Sequence, residues 1–317
     1  MKKIFAFSVF LLVLLLLLPL FALENNPTEI PTAATVSTSS QEAVSPVGFK
    51  VLITETNTVT ALSAEDYLYG VLAGEMPALY EVEALKAQAV CAYTFAVWRQ
   101  KENKDKNYDI SDDYTVDQCY ITPLEADKKW GAKADEYEKK LRGAIREVLG
   151  EILTYNGEPI LSVYHAVSGG FTESAKNVWG KDYPYLQAAA SVGDKLATNY
   201  ISENTFTADQ LENAFSVAIP AGLKGTFTDF MRTKSGTVKT VKICGKEFKG
   251  SEVRAALELK SSNFEVAIKN GAFTFTVYGY GHGVGLSQNG ANYMAQQGSD
   301  YKEILAHYYK GCKIENL

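Results

Sequence analysis

Residues 279–291 read GYGHGVGLSQNGA, and this run limits the fold more sharply than any other segment of the 317-residue chain. Alternating glycines accept positive φ and let the backbone approach a neighbouring surface closely, but they weaken both helices and strands. The run therefore has to be a loop. Its flanks are regular. Residues 273–277 (FTFTV) read as a strand. Residues 291–297 read as a short helix closed by Gly298, and residues 300–309 as another closed by Gly311. A strand thus delivers His282 into a glycine loop, with Gly283, Ser287 and Gln288 on its exit. A tight turn holding a structural histidine is the plainer reading, but the polar pair is more than a turn needs.

A second segment repeats this design. Residues 152–155, Asn156-Gly157 and residues 158–165 predict a hairpin turning at Asn-Gly. It leads through Tyr164 and His165 into AVSGGFT, which carries Ser168, Gly169, Gly170 and Thr172. The double glycine argues for a loop there and against a helix. Two of the chain's three histidines fall in such loops; His307, in an amphipathic terminal helix, reads as packing.

Near the start of the folded part, Ser63 to Asp66 opens a capped helix that stops at Gly74. Glu75-Met76-Pro77 follows, and residues 81–100 form a long helix with Leu85, Ala89, Ala92 and Ala96 at helical spacing. Pro77 prevents the first helix from continuing, so Glu75 sits at a corner between helices. The helix dipole and any burial would raise its pKa, as a general acid requires. Taken alone, a solvated surface glutamate is the commoner state. Lys86 and Gln88 interrupt an alanine-rich helix start and read equally well as site residues or as a solvated stripe.

Lys2 and Lys3 precede residues 4–23, an uncharged stretch long enough to cross a bilayer. The positive flank keeps the start cytoplasmic and sends the rest outward. The run exceeds a typical signal core, which favours an uncleaved single-pass anchor (residues 1–23) over a cleaved signal peptide. Residues 24–47, rich in Ser, Thr, Pro and Ala, form a linker. The net charge of −6, with no basic run after Lys3, argues against a nucleic-acid partner. Cys91, Cys119, Cys244 and Cys312 form no CxxC pair and have no histidine at a metal-ligand spacing. Export permits disulfides, but the scatter of the cysteines, with Cys91 on an apolar helix face, predicts buried single thiols.

The coarse pattern sets helices at 64–74, 81–100, 134–149, 207–215, 291–297 and 300–309, and strands at 50–59, 151–165, 238–243, 264–268 and 273–278. That is an α+β fold, with one catalytic core over residues 48–317 and a smaller inserted lobe at 198–262.

In order, YGVLAGEMPA (69–78), EALKAQAVC (83–91), VYHAVSGGFTE (163–173) with Val178-Trp179 and Pro184-Tyr185-Leu186 behind it, GYGHGVGLSQNGANYMAQQG and KEILAHYYKG resemble the sporulation protein D (SpoIID) and LytB amidase-enhancer family. The resemblance covers roughly residues 50–312 and fits the membrane-anchored sporulation branch. It implies a peptidoglycan lytic transglycosylase, with Glu75 as its catalytic acid/base. It also implies a preference for glycan strands whose stem peptides a partner amidase has removed. In spore formers it implies septal wall thinning and engulfment beside a further membrane protein.

On this reading the two glycine loops form opposite walls of a cleft. The amides of Gly169, Gly170 and Gly283, with Tyr164, Ser168, Thr172, Ser287 and Gln288, hold sugar, and His165 and His282 orient it or the glutamate. Lys86 meets Glu75 or an anionic muramic acid, and Gln88 lies beside it. No cofactor is expected. Some relatives bind zinc through a Cys/His cluster, but here Cys119 has no nearby histidine, so no metal is expected there. Tyr93 stands where relatives carry an arginine, which puts binding or rate in doubt. The rivals are a non-catalytic glycan-binding enhancer of an amidase, a metal-dependent hydrolase built on the two histidines, and a structural wall protein.

Overall fold

A computed structural model of the chain describes residues 48–317. Among these, no helix is long and apolar enough to cross a membrane. The expected anchor and linker lie outside the described residues.

The chain opens with a hairpin of β1 (Phe49–Ile53) and β2 (Thr58–Leu62). The single strand expected over 50–59 is broken because Asn57 takes a φ of 51° and turns the backbone. Helix α1 (Ala64–Glu75) begins on Ser63, whose Oγ accepts from the Asp66 N–H, and runs one residue past the expected stop, so that Glu75 is its last residue. Helix α2 (Val82–Glu102) is apolar on nearly every side of its first four turns and forms the central pillar of the main core.

Strand β3 (Ile110–Ser111) then pairs parallel to β1, and α3 (Pro123–Trp130) follows. Helix α3 was not expected. It buries only Ala126 and so lacks an apolar stripe, although Thr122, Pro123 and Glu125 spell a capping box with proline at the first position. Helix α4 (Ala134–Val148) leads to the hairpin of β4 (Glu151–Tyr155) and β5 (Glu158–Pro159). Its turn is the expected Asn156-Gly157, with both residues at positive φ.

Strand β6 (Tyr164–His165) and the short α5 (Ala175–Trp179) carry the first glycine loop between them. Next come β7 (Ile201–Phe206), α6 (Ala208–Phe215), β8 (Phe227–Arg232), β9 (Val238–Ile243), β10 (Lys246–Lys249), α7 (Gly250–Ala256), β11 (Phe264–Lys269) and β12 (Ala272–Tyr278). Strand β13 (Leu286–Ser287), α8 (Gln288–Gln296), α9 (Tyr301–Tyr308) and β14 (Lys313–Asn316) return to the main core, where β14 pairs with β4.

The fold is α+β with two hydrophobic clusters. The larger gathers α1, α2, α4, α8 and α9 over β1 and β4. The smaller holds Leu211, Phe215, Val241, Val253, Phe264, Phe273 and Phe275. Strands β11 and β12 belong to this smaller lobe, which extends it past residue 262, because β12 pairs antiparallel with β7 along six residues. Most ladders are antiparallel; β1–β3 and β6–β13 are parallel. All four cysteines are free. Cys91 is buried as expected, while Cys119, Cys244 and Cys312 keep partial exposure.

Candidate active site

The carboxyl of Glu75 leaves α1 at its C-terminal end, where helix carbonyls face outward. Pro77 and the buried Met76 stop the helix there, and the Met76 N–H still bonds the Leu72 carbonyl at 2.9 Å. Lys129 caps the same end by donating to the Ala73 carbonyl at 2.7 Å. Oε1 of Glu75 accepts the backbone N–H of Cys119 at 3.0 Å and faces the hydroxyl of Tyr164 at 3.5 Å. The side-chain amide of Gln288 lies against the same carboxyl. Behind Tyr164, Gln118 is buried; its Nε2 donates to the Tyr164 hydroxyl at 2.9 Å, while its Oε1 accepts from Tyr67 at 2.6 Å.

Burial pushes the Glu75 pKa above the usual carboxylate range; Cys119, Gln288, Tyr164 and then Lys129 oppose that rise without cancelling it. A carboxyl that protonates readily, supported by donors that also hold its anion, can give up a proton and recover it.

The two glycine loops are not opposite walls. They are hydrogen-bonded to each other. Strand β6 pairs with β13, Val167 and Tyr280 exchange both backbone bonds (3.1 and 2.6 Å), and the Glu173 N–H donates to the Gly283 carbonyl at 2.6 Å. The glycines serve this contact. A Cβ on Gly285, at φ +73°, would stand 2.0 Å from the Val163 carbonyl oxygen, and one on Gly281 would stand 2.8 Å from Cβ of His165.

Asp194, fully buried, ties the pair together. It accepts from the Ser168 N–H (2.8 Å) and Oγ (2.5 Å), and from Ser287 Oγ (2.8 Å). Ser168 and Ser287 are thus committed inside the protein and not free to grip sugar, as expected of them. Thr172 is likewise spent, accepting from the Ala189 N–H at 2.9 Å. Asp194 carried no sequence signal beyond its charge, because its partners lie far away in the chain.

His165 and His282 meet with ring centroids 5.8 Å apart. His165 is buried, with Nδ1 3.2 Å from the Val284 carbonyl, and desolvation drives its pKa down to about 4. His282 accepts the Val284 N–H on Nδ1 at 3.0 Å and keeps one side partly open; desolvation, then the neighbouring His165, bring its pKa down to about 3. Both rings are neutral over the physiological range.

The structure therefore brings Tyr164 and Gln288 to Glu75, pairs His165 with His282, and places Ser168, Gly169, His282 and Gly283 along a separate cavity. Gly170 packs against the Lys195 side chain. Lys86 is not at the carboxyl. It is bound to Glu83 (2.7 Å) and Glu147 (2.5 Å), which absorb its charge. Gln88 is fully buried on α2. Tyr93 is core, edge-on to Phe49 at 5.7 Å. His307 packs as expected, its Nε2 2.6 Å from the Ala190 carbonyl. Among the described residues, no group of three or more His, Cys, Asp or Glu side chains converges on a metal-sized site. Sequence reasoning missed Gln118, Asp194 and the Cys119 amide.

A stage II sporulation protein D from Bacillus amyloliquefaciens is 37% identical over 273 residues, covering 85% of this chain and 79% of its own. The chain belongs to the stage II sporulation protein D family. The SpoIID (stage II sporulation protein) family model matches residues 53–155, the stretch holding α1, α2 and Glu75. The stage II sporulation protein D of Bacillus subtilis is 35% identical over 297 residues, or 92% of this chain and 86% of that one. An amidase enhancer of Bacillus subtilis is 27% identical over 302 residues, and the match spans 40% of that protein. As a member of the stage II sporulation protein D family, the chain is matched over most of its length by relatives named for sporulation.

Proposed function

We propose that this protein is a peptidoglycan lytic transglycosylase that cuts MurNAc–GlcNAc linkages in peptide-stripped glycan strands. The observation that carries this reading is the placement of Glu75: a carboxyl at a helix end whose Oε1 accepts from the Cys119 N–H at 3.0 Å and faces the Tyr164 hydroxyl at 3.5 Å, with burial raising its pKa. Protonated Glu75 donates to the glycosidic oxygen as the C1–O bond breaks. The muramic acid C6 hydroxyl attacks the anomeric carbon and loses its proton to the Glu75 carboxylate. A 1,6-anhydro end forms, the proton is returned, and no water is consumed. One carboxyl therefore suffices, where hydrolysis uses two. A pKa close to the working pH suits both steps.

The biological setting we assign is wall thinning during sporulation, supported by the family's named members. The protein would stand on the outer side of the cell membrane, held by residues 1–23, and would work with a cell-wall amidase and a membrane protein of the engulfment machinery.

The match to an amidase enhancer favours a second reading, a glycan-gripping stimulator of an amidase with no cleavage of its own. One experiment separates them. Purified protein is incubated with denuded sacculi, and the products are analysed by mass spectrometry. Anhydro ends from the protein alone support the transglycosylase. Their absence, with faster turnover of an added amidase, supports the enhancer.

A further inference from the structure

Four side chains, Tyr67, Gln118, Tyr164 and Glu75, form a row of polar groups inside the protein. Its two ends, Tyr67 and Glu75, both belong to α1, eight positions apart and about 12 Å from each other along the helix axis. The segment 117–119 runs between them. The carboxylate of Asp117 is held by Arg99 and accepts the Ser111 N–H at 2.9 Å and its Oγ at 2.6 Å. Gln118 is buried between two phenols, and the Cys119 N–H reaches Glu75. The ring of Tyr67 is fully buried against Phe49, with centroids 5.0 Å apart, and stacked on Tyr120 at 6.1 Å. The Gln118 amide is the member of the row that can turn over in place, since its donor and acceptor ends have nearly the same shape.

Each hydrogen in the row has one place to go. The Tyr67 hydroxyl has no hydrogen-bond partner but Gln118 among the described residues, so its hydrogen goes to Oε1 at 2.6 Å. With Oε1 so used, Nε2 points at Tyr164 and donates to its oxygen at 2.9 Å. The Tyr164 hydrogen is then left with one acceptor, Oε1 of Glu75 at 3.5 Å. Turning the amide over would hand the Tyr164 hydrogen to Gln118 and leave Glu75 without that donor. It would also strand the Tyr67 hydrogen in the core, where an unpaired polar group is costly. Burial holds both phenols well above their ordinary pKa, so each keeps its hydrogen.

We infer that Tyr67 and Gln118 are positioning residues that fix the direction of the Tyr164 hydroxyl, so that a phenol about two helical turns from Glu75 decides whether that carboxyl has its donor. The use of Glu75 as a proton carrier rests on the function proposed above; the relay itself concerns only the hydrogen bonds. The charged and titratable groups around the carboxyl are Lys129 from α3, the Cys119 thiol from the segment 117–119, Tyr164 from β6 and Tyr67 from α1. Lys129 and Cys119 are untouched by the substitutions that test the relay.

The test is a titration of Glu75 in the full chain by carbon-13 NMR of glutamate-labelled protein, with the Glu75 signal identified by its absence from Glu75→Gln. Tyr67→Phe removes one hydroxyl at the far end and touches nothing at the carboxyl. It frees the amide to turn, and the Glu75 pKa should rise by about half a unit, the scale of a long hydrogen bond to a charged group. In the Tyr164→Phe background the same substitution should move it by less than about 0.2 unit, because the relay is already cut. Gln118→Met, of similar volume, is the second arm: with no amide left to turn, adding Tyr67→Phe should again shift almost nothing. Thermal melts check that each variant folds. An unchanged Glu75 pKa in Tyr67→Phe overturns the relay, and so does a shift of equal size in the Tyr164→Phe or Gln118→Met background. If the titrations follow the expected pattern while the wild-type chain makes no anhydro ends, the positioning role stands and the transglycosylase reading fails alone.

Discussion

The hydroxyl of Tyr164 stands 3.5 Å from Oε1 of Glu75, with the amide of Gln118 donating to its oxygen from behind at 2.9 Å. Burial holds the phenol well above its ordinary pKa, so it stays protonated and can only offer its hydrogen to the carboxyl. This donor favours the Glu75 anion. Tyr164→Phe should therefore raise the Glu75 pKa further and leave the Gln118 amide without its acceptor. The expected result is a roughly tenfold loss of rate, on the order of one lost hydrogen bond to a charged group, with the alkaline limb of the pH–rate profile, where the general acid loses its proton, moved to higher pH. A profile displaced to lower pH would contradict this geometry.

Glu75→Gln should abolish release of anhydro ends and leave the fold intact. Its stability effect has a defined sign. The folded pKa lies above the ordinary 4.5, so the folded state holds the proton more tightly. Stability is therefore greatest below 4.5 and declines as pH rises through the folded value. A neutral amide avoids that cost and can still accept from Cys119. At neutral pH the variant should be more stable by about 1 kcal/mol, measured by urea unfolding. A large loss of stability would show that the carboxylate has a structural role.

Asp194→Ala should be far more damaging than any change at an exposed residue. It removes a buried acceptor and strands the Ser168 N–H and two hydroxyls between the glycine loops. A cost of about 3 kcal/mol is expected. The two loops should then separate, and hydrogen exchange at Val167 and Tyr280, whose backbones bond each other, should accelerate together.

The histidine pair predicts acid sensitivity. Both pKa values are depressed from 6.5, to about 4 for His165 and about 3 for His282. The unfolded chain therefore takes up protons first as pH falls. Their contribution is complete above 6.5 and is lost progressively down to about pH 4 and below. His165 accounts for roughly 3 kcal/mol of this; His282, partly open to the cavity, contributes less. His165→Gln should flatten the stability curve between pH 6.5 and 4.

Gly285→Ala probes the close approach of the two loops. The new Cβ would meet the Val163 oxygen at 2.0 Å, in a backbone already at φ +73°. A loss of more than about 2 kcal/mol is expected, against a gain of up to about 1 kcal/mol for Gly143→Ala, which meets open space inside a helix. Melting temperatures of the two variants give the comparison.

Local signals determined a large part of this protein. Ser63 fixed the start of α1, Asn156-Gly157 fixed a hairpin turn, and Pro77 placed Glu75 at a helix end. Each works through bonds within a few residues, so it can be read along the chain. Helix α3 was also written locally, in Thr122-Pro-Leu-Glu125, but without an apolar stripe it escaped notice. Tertiary structure decided the rest. It zipped the two glycine loops together where a cleft was expected between them, turned Ser168 and Ser287 inward onto Asp194, and drew Lys86 away to Glu147. It brought the Cys119 amide to a carboxyl forty-four positions earlier. Partners so distant in sequence leave no periodic trace, because their pairing depends on which backbones the packed core allows to meet.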